Sequence, residues 1–410
     1  MVSVKKYAHD GNLNSFSIEL SEPLKEQIVQ METQWNVRIL ENMPVFQNAG
    51  YTMSPELGDL IRKKIYPDVL SKFEEVSGIK VEQIDNKVMN VLYRVTIWDT
   101  YQLISRNAKI ATSLLNDNYG KRGFLRLRWI CTGAGVAERT IISMLHRSGV
   151  KDIRGTTTDI SAAAIILATI NLEIMNVILG SSFVNRIVFK DIPHDLEIQP
   201  NTIILQIDDA ISSTEKEVDI INGNEDLKYD AYLADNALPY FGREDGKKLL
   251  ASSVKITTKN AVFQALGLNE NMKVVIPLTT KIAEIFRKDI VKEFNEILGD
   301  KKYPNDYRHK YVYKNGIVVR VISEGAAQTF GWLKKMLFSF EIGRFLKFMK
   351  MISIGTSLSK WGRFVYTNTA DSYKDLLELL NDRQVEIFDD PGEEEEWRDM
   401  VLSTFTVKLK

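Results

Sequence analysis

The sequence predicts an α/β fold: a mostly parallel, seven-stranded sheet with helices on both faces, a helical N-terminal region and a large insertion after the fourth strand. Three observations predict it. Through residues 121–241, strand-like apolar runs alternate with helix-like ones, the pattern of a parallel sheet joined by crossover helices. Strand-like runs end at a glycine, an acid or an amide, the residue types expected at the ligand-facing carboxyl edge of such a sheet. The last two strand-like runs stand too close together for a crossover helix, so the terminal strand is expected to pair antiparallel with its predecessor.

The first strand is "FLRLRWICT" (124–132), which begins with apolar and basic residues alternating and ends in an apolar run, as a strand entering a doubly covered sheet does. Gly133 and Gly135 form the turn after it. In "VAERTIISMLHRSG" Val136, Ile141, Met144 and Leu145 fall near helical spacing, and Gly149 closes the helix as a C-cap. "DIRGTTTDI" is a second strand ending in Asp159. "SAAAIILATINLEIMNVIL" is the helix after it, capped by Ser161, with alanines that permit close packing on the sheet. "NRIVFKDI" is a third strand ending near Asp191, and "YDAYLADNALPYF" a fourth ending at Asp235 and Asn236.

"GRFVYTN" (362–368) follows as the expected fifth strand, then a helix over "DSYKDLLELLND" and two closing strands, "QVEIFDD" and "LSTFTVKLK". The expected division is a helical cap region over 1–120, the first part of the sheet domain over 121–241, an insertion over 242–360 forming a substrate lid, and the rest of the sheet domain over 361–410. In the cap region Val88, Leu92, Val95, Trp98 and Tyr101 lie near helical spacing. That region is expected to pack on the sheet, to cover a bound cofactor or to dimerise. The insertion holds a hairpin turning at Asn315 and Gly316, and a run, "GWLKKMLFSFEIGRFLKFMKMI", whose apolar residues nearly encircle a helix and so suit a lid better than a membrane surface.

Composition narrows the classes of function. With 410 residues, 44% of them hydrophobic, the chain can bury a substantial core. No run of about twenty uncharged apolar residues suits a bilayer and no leader-like segment opens the chain, so no membrane partner and a cytoplasmic location are expected. The single cysteine, Cys131, has no partner for an internal disulfide and is too few for a thiolate metal cage. The four histidines lie far apart, so no metal centre is expected. A net charge of −1 offers nucleic acid no global attraction, although basic residues outnumber acidic ones between 281 and 363.

A Gly-x-Gly turn lets backbone approach a ligand where a side chain would block it, and an acid at the end of the next strand can accept both hydroxyls of a ribose. Gly133 with Asp159 therefore fits a nucleoside-containing cofactor. A dinucleotide fingerprint wants a third glycine at position 138, where backbone and pyrophosphate crowd together; Glu138 stands there and would repel a pyrophosphate. A cofactor without phosphate is expected.

At these residues the chain resembles the class I S-adenosylmethionine-dependent methyltransferases, over about 124–241 and 361–410. The resemblance rests on "TGAG" after the first strand, "TTTDISAAAIILATIN" after the second, "VFKDI" after the third and "YDAYLADNALPYF" for the fourth. It implies a Rossmann-like domain and S-adenosyl-L-methionine as cofactor. Thr132, Gly133, Ala134 and Gly135 would lie beneath the methionine part, Asp159 with Ile160 would hold the ribose, and Asp191 with Ile192 would flank the adenine. Asp235 and Asn236 would line the passage to the substrate. The usual acid before the first glycine is replaced by Cys131 and the usual third glycine by Ala137, so Glu138 or a residue of the N-terminal segment is expected to hold the cofactor's ammonium.

The resemblance implies a methyltransferase whose acceptor is a small molecule or a peptide-like metabolite. Asp235, Asn236 and Tyr240 are the candidates for orienting the nucleophile, and Asp235 or His194 for accepting a proton. "DNALPY" interrupts the DPPY and NPPY tetrads that serve amide and adenine methylation. Two other chemistries share the cofactor: aminobutyryl transfer or cyclisation of the nicotianamine-synthase kind, and RNA methylation through the basic insertion. A scaffold that binds no cofactor is the non-enzymatic alternative.

Overall fold

The computed structural model describes residues 1–8, 14–42, 54–81, 107, 110–189, 198–234, 243–266, 274–277, 308–314, 317–321, 364–367, 385–388 and 404–409. The expected helices over 85–117, 332–352 and 371–382 lie wholly or mostly outside them. Strands β1 (Val2–Ala8) and β2 (Asn14–Leu20) form a hairpin, followed by helices α1 (Glu22–Asn42), α2 (Pro55–Leu60) and, after a π-helical turn at Ile61–Ile65, α3 (Tyr66–Ser77). Strand β3 (Leu125–Ile130), helix α4 (Val136–Arg147), strand β4 (Ile153–Asp159) and helix α5 (Ala162–Leu179) come next. Then follow β5 (Val184–Phe189), β6 (Thr202–Ile207), α6 (Ala210–Ile221), β7 (Tyr229–Ala234), α7 (Arg243–Lys255) and β8 (Thr257–Leu266). Strands β9 (Val274–Pro277), β10 (Arg308–Lys314), β11 (Ile317–Val321) and β12 (Phe364–Thr367) precede β13 (Val385–Phe388) and β14 (Thr404–Leu409).

The main sheet has ten strands in the order β1-β2-β5-β6-β4-β3-β7-β8-β14-β13. From β5 to β8 neighbouring strands are parallel, whereas β14 pairs antiparallel with both β8 and β13. This is a Rossmann-like, mostly parallel sheet with an antiparallel terminal strand, as the close spacing of the last two strands predicts.

The sheet has three strands more than the expected seven for two physical reasons, and one expected strand is exchanged for another. The N-terminal region is not wholly helical: β1 and β2 extend the sheet past β5, with β2 antiparallel to it. Strand β6 enters between β5 and β4, separated from β5 only by residues 190–201, near the shortest crossover that a parallel pair allows. The parallel strand after β7 is β8, the sixth of the parallel set, inside the span expected as insertion. Its pairing with β7 jumps from Tyr229–Thr257 to Ala231–Val262, and this irregularity blurs the alternation that marks a strand in sequence. The segment expected in its place, 362–368, instead supplies β12 to a separate four-stranded sheet, β12-β11-β10-β9. There Lys314 pairs with Ile317, leaving Asn315 and Gly316 as the two residues between the strands.

The central strands are covered on both faces, one apolar and one polar. All six residues of β3 are buried, as in a strand covered on both faces. One face packs Leu125, Leu127, Trp129, Ile153, Ile203 and Leu205 into an apolar core with α4 and α5, and that core continues to α1 and α3. On the other face α6 covers a polar network. Arg128, fully buried, pairs with Glu217 at 2.9 Å and donates to Ser213 Oγ and the Trp129 carbonyl.

Helix α5 is long and apolar enough, by length and composition, to cross a bilayer, which sequence inspection did not anticipate. Most of its length is buried here, with Ile165, Ile166, Ile170, Leu172, Ile174 and Met175 wholly enclosed.

Candidate functional site

The carboxyl edges of β3, β4 and β6 meet at the glycine turn. Cys131, Gly133 and Gly135 have φ of 52°, 53° and 70°, so three left-handed residues within five reverse the chain from β3 into α4. The Thr132 amide donates to the Thr158 carbonyl at 3.3 Å, prolonging the β3–β4 pairing, and the Gly135 amide closes the turn on the Thr132 carbonyl at 2.9 Å.

The two glycines serve different purposes. A Cβ at Gly135 would lie 2.8 Å from the Cβ of Ala168 and 2.9 Å from its Cα, so this glycine lets the turn lie against α5. At Gly133 a Cβ would meet no atom within 4 Å; the absent side chain there leaves open space. Of the two, Gly133 is the one whose missing side chain leaves room beside the turn.

Asp159 ties the turn to the next strand. Its Oδ2 accepts from the Gly133 amide and its Oδ1 from the Ser161 amide, both at 2.9 Å. Ser161 in turn caps α5 by accepting from the Ala164 amide at 3.3 Å. Burial raises the Asp159 carboxyl above its ordinary value, and the amides of Ser161 and Gly133 pull it partly back. A carboxylate already seated on the turn amide makes this a poor phosphate cradle, as the phosphate-free expectation requires. Beside it Ile160 is 76% exposed, an apolar side chain held in water at the mouth of the turn.

Glu138 lies underneath, 1% exposed. It accepts from the hydroxyls of Thr132 and, at 3.0 Å, Thr157, so it braces the turn from below. Asn171, buried in α5, donates to the Ala134 carbonyl at 2.5 Å and fixes the turn from the helix side. Cys131 is mostly enclosed, and burial pushes its thiol up to about 12, with the Asp159 carboxylate adding to the shift. A thiol so held stays protonated at neutral pH and is no nucleophile.

The sequence reading missed four contributors. Asp208 and Asp209 directly follow β6, the strand that borders β4. The Asp208 amide donates to the Asp159 carbonyl at 3.2 Å, and Asp209 caps α6 by accepting from the amides of Ile211 and Ser212. "TIILQIDD" carries a legible signal, an apolar run closed by two acids. Asn171 and Thr157 are contributors that only their contacts identify.

Asp191, Ile192, His194, Asp235, Asn236 and Tyr240 lie outside the described residues. Strand β7 ends at Ala234, immediately before Asp235 in the chain. Among the described residues no group of three or more His, Cys, Asp or Glu side chains could hold a metal ion.

No family model matches the chain, and no curated protein matches it in sequence. Solved structures do. One is an S-adenosylmethionine-bound amino pentose methyltransferase from Micromonospora echinaspora involved in calicheamicin biosynthesis, 9% identical, covering 76% of this chain and 96% of its own, with a TM-score of 0.31. A putative O-methyltransferase from Nostoc punctiforme is 11% identical over 86% of this chain and 72% of its own, with a TM-score of 0.35. An O-methyltransferase from Bacillus cereus in complex with S-adenosylhomocysteine is 13% identical over 57% and 87%, with a TM-score of 0.26.

Proposed function

We propose that the chain is an S-adenosylmethionine-dependent methyltransferase acting on a small molecule or a peptide-like metabolite. One observation carries the reading: the open side of Gly133 stands beside Asp159 and the exposed Ile160, joined through a 2.9 Å hydrogen bond. These groups fit a ribonucleoside without phosphate. Each Asp159 oxygen accepts one backbone amide and keeps a second lone pair for a ribose hydroxyl. Ile160 offers an apolar surface to a base, and Gly133 admits a chain lying across the turn. The bound cofactor would supply a methyl group on a positively charged sulfur, to which the carboxylate of Asp159 at this edge is electrostatically suited.

Methyl transfer asks little covalent help of the protein, so alignment and exclusion of water supply the rate. In this reading Asp235, Asn236 and Tyr240 orient the nucleophile beyond the end of β7, and Asp235 or His194 accepts a proton where one leaves. Glu138 acts by holding Thr132 in place, a positioning role. In this reading the lid comes from the span 242–360.

The test is calorimetric titration with S-adenosylmethionine, followed by mass spectrometry of turnover products with cell metabolites. Binding with release of S-adenosylhomocysteine is expected. Release of methylthioadenosine would replace methyl transfer by aminobutyryl transfer, and absence of binding would leave only a scaffold. Tight, salt-dependent binding of RNA would transfer the substrate to nucleic acid.

A further inference from the structure

The hairpin that lengthens the sheet has two unlike faces. On one, Phe16 packs edge-on against Phe73 at 5.2 Å and Phe189 at 5.9 Å, and Ile18 and Ile187 join the main core. The other carries Tyr7, Ser15, Ser17 and Arg186. Tyr7 stands opposite Ser15 in the β1–β2 pairing, and Ser15 stands opposite Val188 in the β2–β5 pairing, which brings Arg186, two residues before Val188, onto the same face.

Arg186 lies over the Tyr7 ring, its guanidinium carbon 3.6 Å from the ring centroid. Its Nη1 is buried without a hydrogen-bond partner, and so is the hydroxyl of Ser15, a residue only 1% exposed. The Ser17 hydroxyl donates to the Tyr7 hydroxyl at 3.3 Å, which leaves the phenolic proton to be donated elsewhere. No carboxylate balances the guanidinium among the described residues. Glu19, on the same face, is bound to Lys5 at 2.7 Å.

A buried polar group without a partner costs about 1–3 kcal/mol, more when it is charged, and folded proteins keep few of them. Here two such groups and a spare phenolic proton share one patch of three adjacent strands, all donors and no free acceptor charge. Hydrogen bonds from Ser17 and Arg186, with the charges of Arg186 and Lys5, also hold the Tyr7 phenol below its ordinary value against its burial, the mark of surroundings that favour negative charge.

We propose that Arg186, Tyr7 and Ser15 form a binding site for a compact oxyanion, a phosphate or carboxylate group, on the outer part of the sheet and apart from the glycine turn. Arg186 lies at mid-strand, level with Ile204 and Thr156, and β6 separates its strand from β4. The site is therefore independent of whatever the turn holds.

The experiment titrates the full chain with inorganic phosphate and, separately, with acetate, at constant ionic strength set by chloride, reading thermal midpoint and calorimetric heat. Saturable binding of either anion is expected, and the two arms assign tetrahedral or planar geometry. Arg186→Gln should weaken it at least tenfold and Tyr7→Phe several-fold, whereas Lys63→Gln, exposed on the turn between α2 and α3, should leave it unchanged. Affinity for S-adenosylmethionine should be the same in all three variants. A response to both anions no larger than that to chloride, or one that Lys63→Gln abolishes as fully as Arg186→Gln, would overturn the site.

Discussion

A Cβ built on Gly135 would lie 2.8 Å from the Cβ of Ala168, so the helix beneath the turn by itself requires a glycine at its second position. Gly135→Ala is expected to destabilise the fold by roughly 2–4 kcal/mol, through left-handed strain and overpacking together. Ala168→Gly should restore only part of this, because the Ala168 Cα also stands 2.9 Å away and φ stays at 70°. Urea denaturation of the single and double variants measures it; full rescue would assign the glycine to side-chain contact alone.

Gly133→Ala separates the two glycines. With φ of 53° and no atom within 4 Å, it should cost only about 1–2 kcal/mol of stability while reducing cofactor affinity at least tenfold. Calorimetry beside a denaturation curve gives both numbers. Unchanged affinity would remove the turn from the binding site.

Ile160→Ser tests the rim without touching the core. At 76% exposure the side chain contributes little to folding, so the melting temperature should stay the same while S-adenosylmethionine binding weakens several-fold. A lowered melting temperature with intact binding would make Ile160 a structural residue.

Stability should fall as pH rises from about 4.5 to about 7. Burial raises Glu32 to about 7 despite hydrogen bonds from the hydroxyl and amide of Ser54, and raises Glu173 to about 7 despite those from Asn185 and Asn176. Between the ordinary carboxyl value and 7 the folded chain holds protons that the unfolded chain has released. Raising pH through that window therefore favours unfolding, by up to about 3 kcal/mol for each group. Glu32→Gln should flatten the decline between pH 5 and pH 8, as read from denaturation midpoints; an equal slope in the variant would contradict it.

Glu217→Ala should cost about 3–5 kcal/mol by leaving Arg128 charged and alone in the interior, whereas a joint Arg128→Met, Glu217→Leu change should cost far less. Guanidinium denaturation distinguishes these outcomes. Equal losses in the single and joint variants would mean that the ion pair itself holds β3 and α6 together.

What the sequence determined by itself was the local alternation. Buried runs such as "LRLRWI" and "IRGTTTD", the Ser161 cap and the Gly-x-Gly turn state their conformations through neighbours a few residues away, because β-propensity, capping and left-handed φ are local properties. The antiparallel closing strand was legible too, from loop length alone.

Tertiary structure decided what depends on partners distant in the chain. Which strand borders β4 depends on a crossover that carries the chain past the β6 position to β5 before β6 returns between them, which puts Asp208 and Asp209 directly after the strand next to β4. Only pairing with β7 and β14 marks β8 as the last parallel strand of the sheet, and only pairing with β11 draws β12 into the other sheet. The two glycines look alike in sequence, yet Ala168, far along the chain on α5, makes one a packing residue and leaves the other open. A sequence records each residue's preferences, but a packing clash or an unpartnered donor exists only once distant strands and helices have met.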